Sequence, residues 1–125
     1  MNGNKILADT NILLYFLKGE PTIVDFLSEK EIFISFINEL ELLSFPTLET
    51  NDSQLIHSLL DFCNIIPYNP SIRDLTISIR KSKNLKLPDS IVLASAIYLE
   101  IPLVTADKGF LKTKERNLIW FDLNP

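Results

Sequence analysis

Short apolar runs alternate along this chain with longer segments in which apolar residues recur every three or four positions. The short runs are rich in β-branched residues and predict buried strands, whereas the longer segments predict amphipathic helices. The predicted strands are Lys5–Ala8, Glu31–Phe36, Ile65–Ile66, Pro102–Thr105 and, as a fifth, Ile119–Phe121.

Polar, glycine and proline residues delimit the predicted helices. Asp9, Thr10 and Asn11 follow the first strand where helix caps belong, and capping is the role that we predict for Thr10. Asn38 is the predicted cap of the third helix, and the segment Ile91–Ala96 is almost entirely apolar or small, as in a buried helix. The predicted helices cover residues 12–17, 21–27, 38–43, 52–62, 70–83 and 88 onwards.

Strands that alternate with helices predict an α/β fold. We expect a three-layer α/β/α domain with a central, mostly parallel sheet of four to five strands covered on both faces. A chain of 125 residues suits one domain, and we expect residues 1–125 to form a single domain.

The composition is that of a globular protein, with 46% hydrophobic and 22% charged residues. The single cysteine, Cys63, excludes an internal disulfide, and we expect it to pack in the interior. Met1–Asp9 lacks the apolar core of a signal peptide, and no segment approaches the roughly 18 apolar residues of a membrane span. We therefore expect a cytoplasmic protein with no membrane partner.

The net charge of −4 is unevenly distributed along the chain. Residues 1–64 carry ten acids and three bases, a net charge of −7, whereas residues 65–125 carry six acids and nine bases, a net charge of +3. This asymmetry does not by itself identify a partner. Cations bound among the acids would offset part of the negative charge.

Four acids are placed where an α/β sheet binds its ligands, beyond the carboxyl ends of the strands. Asp9 and Asp107 follow predicted strands, Glu41 lies early in the helix after the second strand, and Asp89 lies at the start of the buried helix. Four converging carboxylates would repel one another unless cations lay among them. Oxygen ligands without a His or Cys cluster suit Mg²⁺ or Mn²⁺ better than zinc.

Each of these acids also has a structural interpretation. Asp9 and Asp89 can cap helices, and Asp107 can be a turn residue. Glu41 can be solvated, and Glu39, roughly 200° away around the helix, could face the site in its place. The spacing of the residues leaves these alternatives open.

Four segments resemble the motifs of PIN-domain proteins, in the same order along the chain. Leu7–Ile12 resembles a strand that ends in D-T/S-N, and Ile34–Leu43 resembles a strand ending in Ser that is followed six residues on by Glu-Leu, a register that selects Glu41. Leu85–Ala96 resembles the L-P-D-A motif and its apolar helix, and Pro102–Phe110 resembles L-V-T-x-D-x-x-F. This sequence departs from the pattern at Ala106 and Gly109. The resemblance is closest to VapC-type toxins of toxin–antitoxin pairs.

The resemblance implies a Mg²⁺- or Mn²⁺-dependent endoribonuclease that is the toxin of a type II toxin–antitoxin pair. The implied catalytic and metal-binding residues are Asp9, Glu41, Asp89 and Asp107. Asn11 and Thr105 are implied to orient these ligands. The implied partners are an RNA substrate, a cognate antitoxin and a second copy of the chain in a homodimer. Apolar faces within residues 12–17 and 55–62 are candidates for those protein contacts.

Basic residues flank two of the candidate ligands and predict contacts with RNA phosphates. The predicted RNA-binding residues are Arg80, Lys81, Lys83, Lys86 and Lys108, with further bases at Lys112, Lys114 and Arg116. We expect His57, on an amphipathic helix, to be a surface or structural residue.

Other functions compete with the nuclease. A catalytically inactive PIN-like protein could act through antitoxin binding and transcriptional regulation, although all four acids are present. A phospho-signalling receiver domain would have paired acids after the first strand, where Asp9 is followed by Thr10, and an acid after the third, where Tyr68 and Asn69 stand. A phosphatase of the D-x-D type would have a second Asp two residues after Asp9, where Asn11 stands.

Overall fold

The computed structural model describes residues 3–46 and 50–123 of the chain. Within these residues, two α-helices follow each of the first three of five strands, and a short 3₁₀ helix precedes the last strand. The strands are β1 (Lys5–Ala8), β2 (Glu31–Ser35), β3 (Asn64–Ile66), β4 (Leu103–Thr105) and β5 (Leu118–Trp120). The helices are α1 (Thr10–Leu17), α2 (Pro21–Leu27), α3 (Phe36–Ser44), α4 (Thr50–Phe62), α5 (Pro70–Ser82) and α6 (Leu87–Leu99), and the 3₁₀ helix is Lys108–Thr113.

The strands form one sheet in the order β3-β2-β1-β4-β5, and all four pairings are parallel. Parallel pairing requires a crossover between strands, and the helices supply the crossovers. The predicted three-layer α/β/α fold with a parallel sheet is confirmed, at the upper of the two predicted strand numbers. Chain order changes direction between β1 and β4, which makes their carboxyl ends the switch point of the sheet.

Two apolar cores cover the two faces of the sheet. Ile6 and Ala8 of β1 contribute to one core, with buried residues of α1, α2 and α4. Leu7 contributes to the other, with buried residues of α5 and α6. Alternate strand residues point to opposite faces, so a strand buried on both sides is a continuous apolar run. This is why the central strands were visible in the sequence.

The middle of helix α6 is buried, within the segment that the sequence predicted to be buried. Val92, Leu93, Ala94 and Ala96 are at most 2% exposed. The buried Ser95 hydroxyl donates a hydrogen bond to the Ile91 carbonyl, so its polar group is satisfied inside the helix. No helix within residues 3–46 and 50–123 combines the length and apolarity that crossing a lipid bilayer requires.

The start of α3 differs from the prediction. Phe36 begins the helix and does not end β2, and Ser35, not Asn38, is the N-cap. The Ser35 hydroxyl accepts a hydrogen bond from the Ile37 amide, and the Asn38 side chain accepts one from the Ser35 amide. This reciprocal arrangement is a capping box with Asn in the place of the usual Glu or Gln.

Candidate active site

Four carboxylates lie at the carboxyl edge of the sheet around the switch point. Asp9 directly follows β1, and Asp107 follows the neighbouring β4 by two residues. Glu41 comes from the helix that follows β2, and Asp89 is in the first turn of α6. Parallel strands bring their carboxyl ends to the same edge, which is why segments far apart in sequence meet here.

Asp9 is the most buried of the four acids, with 7% of its surface exposed. It is the N-cap of α1, and its Oδ1 accepts a hydrogen bond of 2.9 Å from the Thr10 amide. Its Oδ2 accepts a 2.7 Å hydrogen bond from the Thr105 hydroxyl. The pKa of Asp9 is raised to about 6, mainly by burial and to a smaller extent by the charges of Asp89 and Glu41, while the hydrogen bonds from Thr105 and Thr10 act to lower it.

Asp107 is held by the backbone around it. Its amide donates a hydrogen bond of 3.0 Å to the Thr105 hydroxyl, which thereby links Asp107 to Asp9. Its Oδ1 caps the 3₁₀ helix by accepting from the Gly109 amide at 2.8 Å. A Cβ atom at Gly109 would lie 3.2 Å from this same oxygen, so a larger residue would crowd the carboxylate. Asp107 therefore caps the 3₁₀ helix and also lies at the candidate site.

Asn11 and Thr105 are both in contact with this part of the site. The Thr105 hydroxyl contacts the Asp9 carboxylate directly. The Asn11 side chain accepts a 3.2 Å hydrogen bond from the Ala106 amide, so it holds the segment that leads to Asp107 and not a carboxylate itself.

Glu41 is on the solvent side of the site and is exposed. Its Oε1 accepts a 2.6 Å hydrogen bond from the Thr10 hydroxyl, which in turn accepts a 3.0 Å hydrogen bond from the Asn38 side chain. Capping was the predicted role of Thr10, and that prediction is wrong, because Asp9 caps α1 and the Thr10 hydroxyl contacts Glu41.

Asp89 is half-buried and does not cap α6, whose N-cap is Lys86 without a side-chain capping bond. Burial raises the pKa of Asp89, and the charges of Asp107 and Glu41 raise it further. Lys86 and Lys112 act in the opposite direction. The negative charges that raise the pKa values of Asp9 and Asp89 come from other candidate acids, and Glu41 of α3 acts on both.

The four carboxylates form one electrostatic group but not a closed set of ligands. Within residues 3–46 and 50–123, no three Asp, Glu, His or Cys side chains are already arranged to hold a metal ion. Like charges that share a site repel one another, and a cation bound among them would offset this repulsion. The donor set consists of oxygen, which fits a hard divalent cation such as Mg²⁺ or Mn²⁺.

His57 is exposed on α4, and Cys63 packs against a core cluster.

The basic residues near the candidate ligands fall into three groups. Arg80 donates to the Leu85 carbonyl at 2.7 Å, and Lys83 donates to the Thr113 carbonyl at 3.0 Å, so both tie loops together. Lys81 and Lys108 are exposed. Lys86 and Lys112 are exposed and lower the pKa of Asp89, so their charges reach the carboxylates.

The sequence reasoning undervalued three residues at this site. Lys112 entered only as a further base, and Thr10 and Asn38 were assigned to capping alone. The Ser-x-x-Asn spacing at the end of β2 was the available signal for Asn38, because it matches a capping box.

Comparison with known proteins identifies the family. The family model of the PIN domain matches residues 6–116. A search of curated proteins found no match.

The fold is also similar to those of several solved complexes. One is a toxin–antitoxin complex from Klebsiella pneumoniae, with a TM-score of 0.80 and 27% identity over 91% of this chain and 95% of that chain. A second is VapBC2 from Rickettsia felis, bound to a DNA fragment from its promoter, with a TM-score of 0.78 and 20% identity over 96% of this chain and 99% of that chain. A third is VapBC-1 from nontypeable Haemophilus influenzae, with a TM-score of 0.76 and 22% identity over 94% of this chain and 97% of that chain.

The family match begins in β1 and ends beyond the 3₁₀ helix, so it spans all four elements that carry the carboxylates. This chain belongs to the PIN domain family.

Proposed function

We propose that this protein is a Mg²⁺- or Mn²⁺-dependent endoribonuclease and the toxin of a type II toxin–antitoxin pair. One observation carries the proposal. Asp9, Glu41, Asp89 and Asp107 lie on four separate segments at the carboxyl edge of the sheet, and charges within this group raise the pKa values of Asp9 and Asp89. Membership of the PIN family supports nuclease chemistry at this place.

The oxygen donors fit one or two divalent cations, which Asp9, Glu41, Asp89 and Asp107 would hold, some of them through water. When bound, such an ion supplies Lewis-acid chemistry, activating water and stabilising the charge that develops on phosphate oxygens. The closeness of like charges supports this use, because the free energy of repulsion that a cation relieves favours its binding.

The protein's own residues would orient the ligands and bind the substrate. Thr105 holds Asp9 through its hydroxyl and Asp107 through its amide. Lys86 and Lys112 place positive charge beside Asp89, where RNA phosphates would approach. Lys81 and Lys108 are exposed bases that could extend this contact along the RNA backbone.

A toxin needs a partner that restrains it, and we propose a cognate antitoxin. The structurally similar proteins from Klebsiella pneumoniae and Haemophilus influenzae were both solved as toxin–antitoxin or VapBC assemblies, and this chain covers at least 95% of their length. On α4, Leu55 is 51% exposed and Phe62 is 82% exposed, so this helix keeps an apolar surface available for protein contact. The homodimer remains a prediction. A small reading frame adjacent to this gene that encodes an antitoxin would support the pairing.

Cleavage of RNA by the purified protein tests the enzymatic part. We expect activity with Mg²⁺ or Mn²⁺, none in the presence of EDTA, and recovery when the metal is restored. Asp9→Asn should lower the single-turnover rate by at least ~10³-fold, because it removes a charged ligand from a site whose metal contributes several kcal/mol. Asp61→Asn, at an exposed acid of α4, is the control and should cleave normally.

The alternative of an inactive PIN-like regulator makes the opposite prediction. It requires binding of antitoxin and DNA by a protein that leaves RNA intact with either metal. Persistence of cleavage in folded Asp9→Asn would instead contradict the proposed mechanism while leaving a nuclease function.

A further inference from the structure

A directional chain of hydrogen bonds leads from the backbone of β2 to Glu41. The Ser35 amide donates to Asn38 Oδ1 at 2.8 Å, and Asn38 Nδ2 donates to Thr10 Oγ1 at 3.0 Å. Thr10 Oγ1 then donates to Glu41 Oε1 at 2.6 Å. The chain joins residues 28 and 31 positions apart in sequence, and so connects α3 to the start of α1.

The direction of each bond in this chain is determined by its first donor. A backbone N–H can only donate, so the end of the Asn38 side chain that faces Ser35 must be the carbonyl oxygen. The amide nitrogen of Asn38 must then face Thr10, whose hydroxyl oxygen accepts from it. This leaves the single proton of the Thr10 hydroxyl for Glu41, which therefore acts as an acceptor.

The burial of Asn38 makes this arrangement rigid at its base. Asn38 is 0% exposed, whereas Glu41 is exposed. An exposed glutamate samples many rotamers, and ordering it when a ligand binds costs conformational entropy. The buried amide and the hydroxyl of Thr10 hold the carboxylate before any ligand arrives.

We propose that Thr10, oriented by Asn38, is a positioning residue that preorganises Glu41 for divalent cation binding. This inference rests on the proposed function, because it takes Glu41 to be a ligand. It also assigns the role of cation ligand in α3 to Glu41 and not to Glu39, since Glu41 is the glutamate that accepts the hydrogen bond from the Thr10 hydroxyl.

Direct Mn²⁺ binding, measured by electron paramagnetic resonance without RNA, tests the proposal. Thr10→Val keeps the shape of the side chain and removes the hydroxyl, and we expect Mn²⁺ affinity to fall roughly 10–100-fold, as for other groups that orient metal ligands. Thr10→Ser restores the hydroxyl and should bind Mn²⁺ close to the wild-type affinity. Equal affinity in Thr10→Val and wild type would overturn the proposal.

Double-mutant cycles separate an effect through Glu41 from a general loss of structure. In a Glu41→Gln background, Thr10→Val should cause little further loss of Mn²⁺ affinity. In the matched Glu39→Gln background, it should cause the full loss. The same additional loss in both backgrounds would show that Thr10 does not act through Glu41.

Two further measurements keep the inference testable on its own. If Thr10→Val does not fold, Thr10→Ala takes its place in the same cycles. If wild-type protein binds no Mn²⁺, the proposed metal site fails, and ¹³C relaxation of the Glu41 side chain still tests the hydrogen-bond chain. A Glu41 side chain as ordered as the backbone supports the chain of bonds, and a freely mobile one contradicts it.

Discussion

The two halves of the candidate site hold their carboxylates in different ways. On the strand side, Asp9 is 7% exposed and shares the Thr105 hydroxyl with the backbone of Asp107. On the helix side, Glu41 is exposed and Asp89 is half-buried, and within residues 3–46 and 50–123 the one side-chain hydrogen bond to Glu41 comes from Thr10. The strand-side acids are held by Thr105 at the end of β4, whereas Glu41 on the helix side is held by the Thr10 side chain at the start of α1.

This difference determines what each half contributes. Burying Asp9 costs solvation free energy, and the raised pKa of its carboxyl is the sign of that cost. A cation would repay the cost by neutralising the charge, so the strand side favours occupancy. The position of the exposed Glu41 costs little solvation free energy, and the hydrogen bond from Thr10 orients its carboxylate.

Loss of the Thr105 hydroxyl should affect the strand side most. Thr105→Val removes the bond to Asp9 and the acceptor for the Asp107 amide together, so Mn²⁺ affinity should fall by up to ~100-fold. The unpaired polar groups should also lower the free energy of unfolding by roughly 1–3 kcal/mol. Mn²⁺ titration and urea unfolding measure the two effects.

Thr113→Val is a close control for that variant. Thr113 is also buried, and its hydroxyl donates to the Phe110 carbonyl and accepts from the Glu115 amide. The control should lower stability by a similar amount and leave Mn²⁺ affinity unchanged. An equal loss of affinity in both variants would mean that Thr105 has no special role at the carboxylates.

Stability without divalent metal should decrease as pH rises from 4 to above 6. Folding raises the pKa of Asp9 from 3.8 to about 6, so the folded protein binds this proton more tightly than the unfolded chain. The contribution of this carboxyl is therefore complete below about pH 4 and is lost as pH rises through 6, by roughly 2–3 kcal/mol. Asp9→Asn has no such proton, so urea unfolding should show it gaining stability relative to wild type over this range. Parallel pH profiles for the two proteins would contradict the raised pKa.

The smallest effect is expected from the bases on the helix side. Lys86→Gln with Lys112→Gln should weaken binding of single-stranded RNA less than about tenfold and reduce the slope of log affinity against log salt by about 0.7 for each lost phosphate contact. Filter binding across a range of salt concentrations measures both quantities.

A charge-matched control comes from the opposite edge of the sheet. Lys5 begins β1 and Lys30 directly precedes β2, so both lie at the amino ends of the strands. Changing both to Gln should leave the salt dependence of RNA binding as it is in wild type. If the two double variants behave alike, the bases near Asp89 do not contact the RNA.

The sequence by itself determined the order of strands and helices, the parallel sheet and the residues at its carboxyl edge. Strands buried on both faces are apolar runs, and helices show their periodicity locally, so neither needs knowledge of distant contacts. The placement of Asp9 and Asp107 followed from that pattern, because Asp9 comes directly after one strand that was visible in the sequence and Asp107 comes two residues after another.

The resemblance implied that Thr105 orients a ligand, but only the tertiary structure decided which acid each such group holds. The Thr10–Glu41 bond spans 31 positions and the Thr105–Asp9 bond spans 96, and no local pattern encodes either of them. The same holds for Lys83, whose ammonium turned out to bind the Thr113 carbonyl across 30 positions. A hydrogen bond between side chains is sensitive to differences of a few tenths of an ångström in the donor–acceptor distance. These distances are set only once the two cores have packed the helices against the sheet.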